Sequence, residues 1–180
     1  GILTQTWTFT DNCDRTSTQT QTNTVEPAPQ AQFASVSPLT LSCDEATSFA
    51  ASELGYTNNG LGACLIEGQV LGSISGTYNE CGGTLTQTWT FTDNCNRTST
   101  QTQTITVEPA PQAQFASVTP LTLSCDEATS FAASELGYTN NGQGSCLIEG
   151  QVLGSISGTY NECGGTLTQT WTFTDNCNRT

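Results

Sequence analysis

Leu85-Thr86-Gln87-Thr88-Trp89-Thr90-Phe91-Thr92 is the stretch that decides the fold. Leu85, Gln87, Trp89 and Phe91 share one face, and Thr86, Thr88, Thr90 and Thr92 share the other. That is alternation with a period of two, the mark of a half-buried β-strand. Asp93-Asn94-Cys95-Asn96 then supplies turn chemistry. Beyond it, Thr98, Thr100, Thr102, Thr104 and Thr106 alternate against Ile105 and Val107. Residues 85–107 therefore predict a long hairpin with a Trp-bearing inner face and an outer face of β-branched threonines, which suit strand geometry.

The core of this hairpin is repeated. TQTWTFTDNC stands at 4–13, 86–95 and 168–177, a spacing of 82 residues. Self-similarity at a fixed period governs any fold reading. Residues 28–98 match 110–180 except at Ser37/Thr119, Leu61/Gln143 and Ala63/Ser145. Residues 1–27 match 83–109 except at Ile2/Thr84, Asp14/Asn96 and Asn23/Ile105. The expected organisation is a C-terminal hairpin of a preceding, truncated repeat at 1–27, a complete repeat at 28–109, and a repeat lacking its last strand at 110–180. The sequence reads as a window on a longer array, and each period has the size of one small domain.

Within the complete repeat, Gln30–Val36 reads as a strand ended by Pro38, followed by Leu39 and Leu41 alternating into Cys43. Thr47–Ala51 reads as a further strand, with a short helix from Ala46 to Leu54 as the alternative. A loop at 57–62 precedes short strands at Leu65–Leu71 and Ser73–Tyr78. The pattern predicts an all-β fold: tandem immunoglobulin-like antiparallel β-sandwiches of about seven strands each. The linker Glu108-Pro109-Ala110-Pro111 favours extended, semi-rigid geometry. An elongated array needs chain entrance and exit at opposite poles. An odd strand number follows, with two strands rather than one between 64 and 80.

Nine cysteines in 180 residues, with four per full period, indicate a disulfide framework and an oxidising compartment. Absence of His and of any C-x-x-C pair argues against zinc. Alternating strands put Cys43 and Cys81 at the trailing pole of the repeat and Cys64 and Cys95 at the leading pole. Bridged Cα atoms lie within about 4.4–6.8 Å, so partners must share a pole. The expected bridges are Cys43–Cys81 and Cys64–Cys95, repeated as Cys125–Cys163 and Cys146–Cys177. Cys13 pairs outside the window. The other arrangement considered is Cys64–Cys81 with Cys43–Cys95.

The run CGGTLTQTWTFTDNCNRT…TQTITVEPAP, preceded by GYTNNGLGACLIEG, resembles the hyalin-repeat-like, immunoglobulin-like repeats of very large bacterial surface proteins. Among these are repetitive adhesins and gliding-motility filaments of Bacteroidetes. The likeness spans the whole period. That family usually carries Gly after the turn cysteine, where this chain has Asp14, Asn96 and Asn178. The resemblance implies an exported, cell-surface, array-forming protein, and it transfers no catalytic residues.

Sixteen carboxylates against three arginines give a net charge of −13, which excludes nucleic acid as a partner. With no His and no Lys, triads, Schiff bases and most general-base schemes are gone, and no enzyme activity is expected. Lysine–asparagine isopeptide cross-links are excluded for the same reason. Asp44, Glu45, Glu80 and Glu108 gather at the trailing pole, facing Asp175 and the Asn140-Asn141 loop of the next repeat. Such a set is a candidate Ca²⁺ site, with a hydrated acidic collar as the plainer reading. The threonine face and loop 57–63 are candidate adhesive surfaces for glycan, ice or another cell; threonine's ordinary suitability for exposed strands explains the face equally. Asn96-Arg97-Thr98 is a glycosylation sequon that the first copy lacks.

The expected function is structural: a repeat of an extracellular filament, stalk or surface adhesin, secreted to the cell surface. Its partners would be further copies of itself. The alternatives are a ligand-binding adhesion module and an inert spacer beside a catalytic domain.

Overall fold

The computed structural model describes residues 1–180. It is predominantly β, with mostly antiparallel sheets. The chain packs as two compact units. One comprises Gly1–Ser35, Glu53–Leu71 and Trp89–Gln101; the other comprises Val36–Ser52, Gly72–Thr88 and Thr102–Thr180.

The first unit opens with β1 (Ile2–Thr10) and β2 (Thr16–Thr24), an antiparallel hairpin paired from Ile2↔Thr24 to Thr10↔Thr16. Every residue of both strands is exposed. The unit also holds β3 (Gln32–Phe33), which belongs to a three-stranded sheet with two later strands, and a short β4 (Leu39–Leu41) follows in the second unit. Pro38 lies between the two, and the strand expected at Gln30–Val36 is only two residues long.

Next comes α1 (Cys43–Thr47), and the strand expected at Thr47–Ala51 does not form. Ser42 caps it: the Ser42 hydroxyl accepts from Glu45 N–H, and the Glu45 carboxylate accepts from Ser42 N–H at 2.8 Å. This reciprocal cap satisfies two otherwise orphaned donors. It places the helix three residues earlier than the Ala46–Leu54 alternative and stops it well short of Leu54.

After α1 run β5 (Glu53–Thr57), a 3-10 turn at Gly62–Cys64, β6 (Glu67–Leu71), β7 (Ser73–Asn79), β8 (Gly82–Thr92) and β9 (Thr98–Val107). Strands β3, β5 and β6 form one sheet; β4, β9, β8 and β7 form another in that order. Gly68 on β6 must lack a side chain, because the Tyr56 ring lies across it: a Cβ there would stand 2.5 Å from the phenol oxygen. Tyr56 in turn stacks on Phe91 at 3.8 Å. The β4–β9 pairing is parallel, Leu39↔Ile105 to Leu41↔Val107, which corrects the expectation of a wholly antiparallel fold. Alternation on β8 is as read: Leu85, Gln87 and Trp89 are buried. The buried Gln87 amide is satisfied by donating to Ser52 O and Oγ at 3.1 and 3.2 Å.

The copy at 110–180 repeats this order as β10 (Gln114–Phe115), α2 (Cys125–Thr129), β11 (Glu135–Thr139), a 3-10 turn at Gly144–Cys146, β12 (Glu149–Leu153), β13 (Ser155–Asn161) and β14 (Gly164–Thr170). The residues that correspond to β4 are not a strand here, and β14 stops four residues before the counterpart of β8's end. Both differences sit where β9 would pair, and residues 110–180 hold no counterpart of β9 beyond Thr180.

The core of the second unit runs through the linker. Cys43, Ala46, Leu85, Ile105, Val107 and Ala110 pack with Cys146 and Ile148, and Tyr138 and Phe173 lie against the same cluster. Residues of two successive repeats thus share one apolar cluster.

Candidate functional site

The joint between the repeats is where unusual chemistry gathers. Two disulfides cross it: Cys43–Cys146 with Cα atoms 5.7 Å apart, and Cys81–Cys177 with Cα atoms 5.4 Å apart.

Each cysteine is set by its own short device. Cys43 is the first helical residue after the Ser42 cap. Cys146 closes the 3-10 turn at Gly144–Cys146, and Asn140 holds that loop. Asn140 Oδ1 accepts from Gly142 and Ile148 N–H, both at 2.9 Å, while its amide donates to Cys146 O at 2.8 Å and Pro111 O at 3.2 Å. Cys81 sits in the tight turn from β7 to β8, its N–H donating to Asn79 Oδ1 at 2.9 Å. Cys177 sits in a turn organised by Asp175, which accepts from Cys177 and Arg179 N–H at 2.9 Å each and pairs with Arg179 Nε at 2.7 Å. Arg179 also donates to Ala110 O at 2.6 Å, tying this turn to the linker.

Two polar contacts reinforce the bridges. Asp44 Oδ1 accepts from Gln143 N–H at 3.0 Å, and Glu80 Oε1 accepts from the Asn176 amide at 2.6 Å. The Asn176 amide holds the Glu80 carboxyl below its ordinary range, against the nearby Asp175 charge. Burial pushes Asp175 up, but the hydrogen bonds and charge of Arg179 outweigh it and the net shift is downward.

The bridges correct the sequence expectation. Cys43–Cys81, Cys64–Cys95, Cys125–Cys163 and Cys146–Cys177 do not form, and neither does Cys64–Cys81 with Cys43–Cys95. The same-pole argument considered partners only within one repeat. At the joint, the trailing pole of one repeat meets the leading pole of the next, so the distance condition is met across it. Cys13, Cys64, Cys95, Cys125 and Cys163 are free and exposed.

The candidate calcium ligands do not come together as a cage. Asp44 and Glu80 accept from the next repeat, Glu45 caps α1, and Asp175 is committed to Arg179 and its turn. Glu108 is held through its backbone N–H on Leu41 O at 2.9 Å. No group of three or more metal-ligating side chains assembles. Sequence reasoning placed Asp175 and the Asn140-Asn141 loop at the joint as candidate calcium ligands, but missed that Asn140 and the Asp175–Arg179 pair organise its loops. The signals were present: an Asn-Asn-Gly loop, and an acid four residues before the repeat's only base.

The outward threonines of β9 are exposed, as read. Loop 57–63 is built like loop 139–145, whose Gln143 contacts the preceding repeat.

Two disulfides fit an oxidising, extracellular environment. No helix is long and apolar enough to cross a membrane. No family model matches the chain, and the searches of curated proteins and of solved structures return no match either.

Proposed function

We propose that the chain is a structural segment of an extracellular filament, stalk or surface adhesin, built from tandem immunoglobulin-like repeats of the hyalin-repeat-like kind. The observation that carries this reading is the joint: two disulfides and one apolar cluster unite successive repeats. A joint that buries Ala110 of the linker and crosses it covalently suits a protein that transmits tension. Flexible beads on a string would not need it. The adhesion-module alternative loses loop 57–63, whose counterpart is used in the joint, and keeps only the threonine face. The spacer alternative gives no reason for staples between repeats.

Pulling a single chain by Gly1 and Thr180 tests the reading. Oxidised, the shortest covalent route runs from Gly1 to Cys43, crosses the bridge, and continues from Cys146 to Thr180; fully extended it is roughly 27 nm. Reduced, all 180 residues extend to roughly 64 nm. Equal lengths in the two states would remove the joint and the reading with it. Strong glycan or ice binding by the oxidised chain, without that difference in length, would favour the adhesion module.

A further inference from the structure

Asn96-Arg97-Thr98 and Asn178-Arg179-Thr180 are the two places in the chain where an asparagine precedes a Ser or Thr by two residues. Both asparagines lie in the turn after the Trp-bearing stretch, and both are exposed. Their neighbours hold that turn. Asp93 Oδ1 accepts from Cys95 and Arg97 N–H at 2.9 Å each, and Arg97 Nε pairs with Asp93 Oδ2 at 2.7 Å. Asp175 and Arg179 repeat the arrangement. Asn96 and Asn178 contribute only a backbone N–H, to Asp93 O at 2.9 Å and Asp175 O at 3.0 Å, and their side-chain amides are unengaged. The turn asks of this position only a left-handed backbone, with φ 59° at Asn96 and 60° at Asn178, which a short polar residue tolerates. Asp14 meets that demand at φ 58° in the matching Asp11–Arg15 turn, so the turn itself does not require an amide.

Two different settings leave the amide open. Asn96 is exposed where the chain runs on through β9, and Thr98 is exposed at the head of that strand. Asn178 is exposed where a joint is closed: Asp175 is buried, and Cys177 is bridged to Cys81. Neither a continuing strand nor a docked preceding repeat covers the position. We propose that Asn96 and Asn178 are acceptor sites for N-linked oligosaccharide. The sequon marks a surface position of an exported chain for this modification. The donor is a lipid-pyrophosphate-linked oligosaccharide. Asn Nδ2 bonds to the anomeric carbon of its first sugar, the bond from that carbon to the pyrophosphate oxygen breaks, the lipid pyrophosphate leaves, and one amide proton passes to solvent. The proposal rests on the export that belongs to the structural reading above, and adds a covalent sugar to it. A sugar on Asn178 stands one residue from the bridged Cys177 and outside the apolar cluster of the joint.

The test uses the full chain, secreted from cells that carry out asparagine-linked glycosylation. Peptide N-glycosidase releases the sugar and turns each occupied asparagine into aspartate, so digestion in heavy-oxygen water marks the sites. We expect marks at Asn96 and Asn178. Asn12, Asn94 and Asn176 are exposed in the same turns but have no hydroxyl side chain two residues on, and they should stay unmarked. Asn96→Asp, which copies the residue found at 14, and Thr98→Ala should each clear the mark at Asn96 alone, while Thr98→Ser should keep it. A mark at one position only upholds that site and overturns the other; sugar that survives Thr98→Ala overturns the assigned motif. Both asparagines unmarked, with the Cys43–Cys146 link formed, would overturn the proposal and leave the structural reading standing. Absence of the Cys43–Cys146 link would count against the structural reading whether or not sugar is present. Material retained inside the cells is read in the same way.

Discussion

Trp7 and Trp89 occupy the same position in identical decapeptides, yet Trp7 is 47% exposed and Trp89 only 1%. The difference is therefore one of surroundings alone. Trp89→Ala should destabilise the chain by about 3–5 kcal/mol, the usual cost of emptying a large aromatic site. Trp7→Ala should change stability by less than about 0.5 kcal/mol, as at other exposed positions. Denaturant melts of the oxidised variants measure both, and similar losses would contradict the burial described. Asn23 stands where the later copy has the fully buried Ile105, a place where an amide would need partners. It lies on the exposed hairpin, so none is demanded.

Acid response also belongs at this scale. Asp93, Asp175 and Glu80 have folded pKa values below their ordinary 3.8, 3.8 and 4.5. The stability they contribute is complete above the ordinary values and is lost as pH falls through the lower, folded ones. The melting temperature should hold from neutral pH to about 5 and fall below about 4. Asp175→Asn should melt lower at pH 7 and show a shallower acid fall. A parallel pH profile for the variant would show that this carboxylate does not contribute. The Asp93–Arg97 and Asp175–Arg179 pairs were half visible in the sequence as turn residues. Their reach back to Ala28 and Ala110 was not, because it depends on how the linker packs.

At the level of elements, β8 extends to Thr92, whereas β14 ends at Thr170, although the two sequences agree from Gly82 to Thr92. Strand propensity is therefore insufficient; the neighbouring β9 supplies the remaining order. Amide protons of Trp89–Thr92 should exchange orders of magnitude more slowly than those of Trp171–Thr174, as resolved NMR signals would show. Comparable rates would mean that β8 does not need β9. The hairpin was legible because its alternation is strong over many residues. The helix at Cys43–Thr47 was misplaced because apolar spacing in so short a segment is weak, while the decisive signal was the Ser42 and Glu45 pair. The parallel partner of β4 lies more than sixty residues away in sequence, beyond the reach of any local pattern.

For the molecule as a whole, the composition already called for cystines in a chain so poor in large apolar residues, and the sorting of cysteines between two poles was recoverable from strand order. Their pairing was not, because two poles of the same kind of chain can close either on themselves or on each other. The observed bridges span 103 and 96 residues rather than thirty-odd. On the chain-entropy account a loop of that size contributes about 4.7 kcal/mol for the first bridge, and less for a second that interleaves with it.

Cys163 and Cys177 flank β14 and are fourteen residues apart in the sequence. In a longer array of such repeats, with Cys163 bonded to the following repeat and Cys177 to the preceding Cys81, tension would pass along β14 and the turn after it from one sulfur pair to the next. A strand is already drawn out at about 3.4 Å per residue, so the repeat has almost no slack to release. Such a thread would behave as a cable of fixed length: melting its folded parts would cost it stiffness but hardly any reach. Pulled oxidised, an array should give no steps of roughly 30 nm, the length of one freed repeat, and should give them once reductant is added.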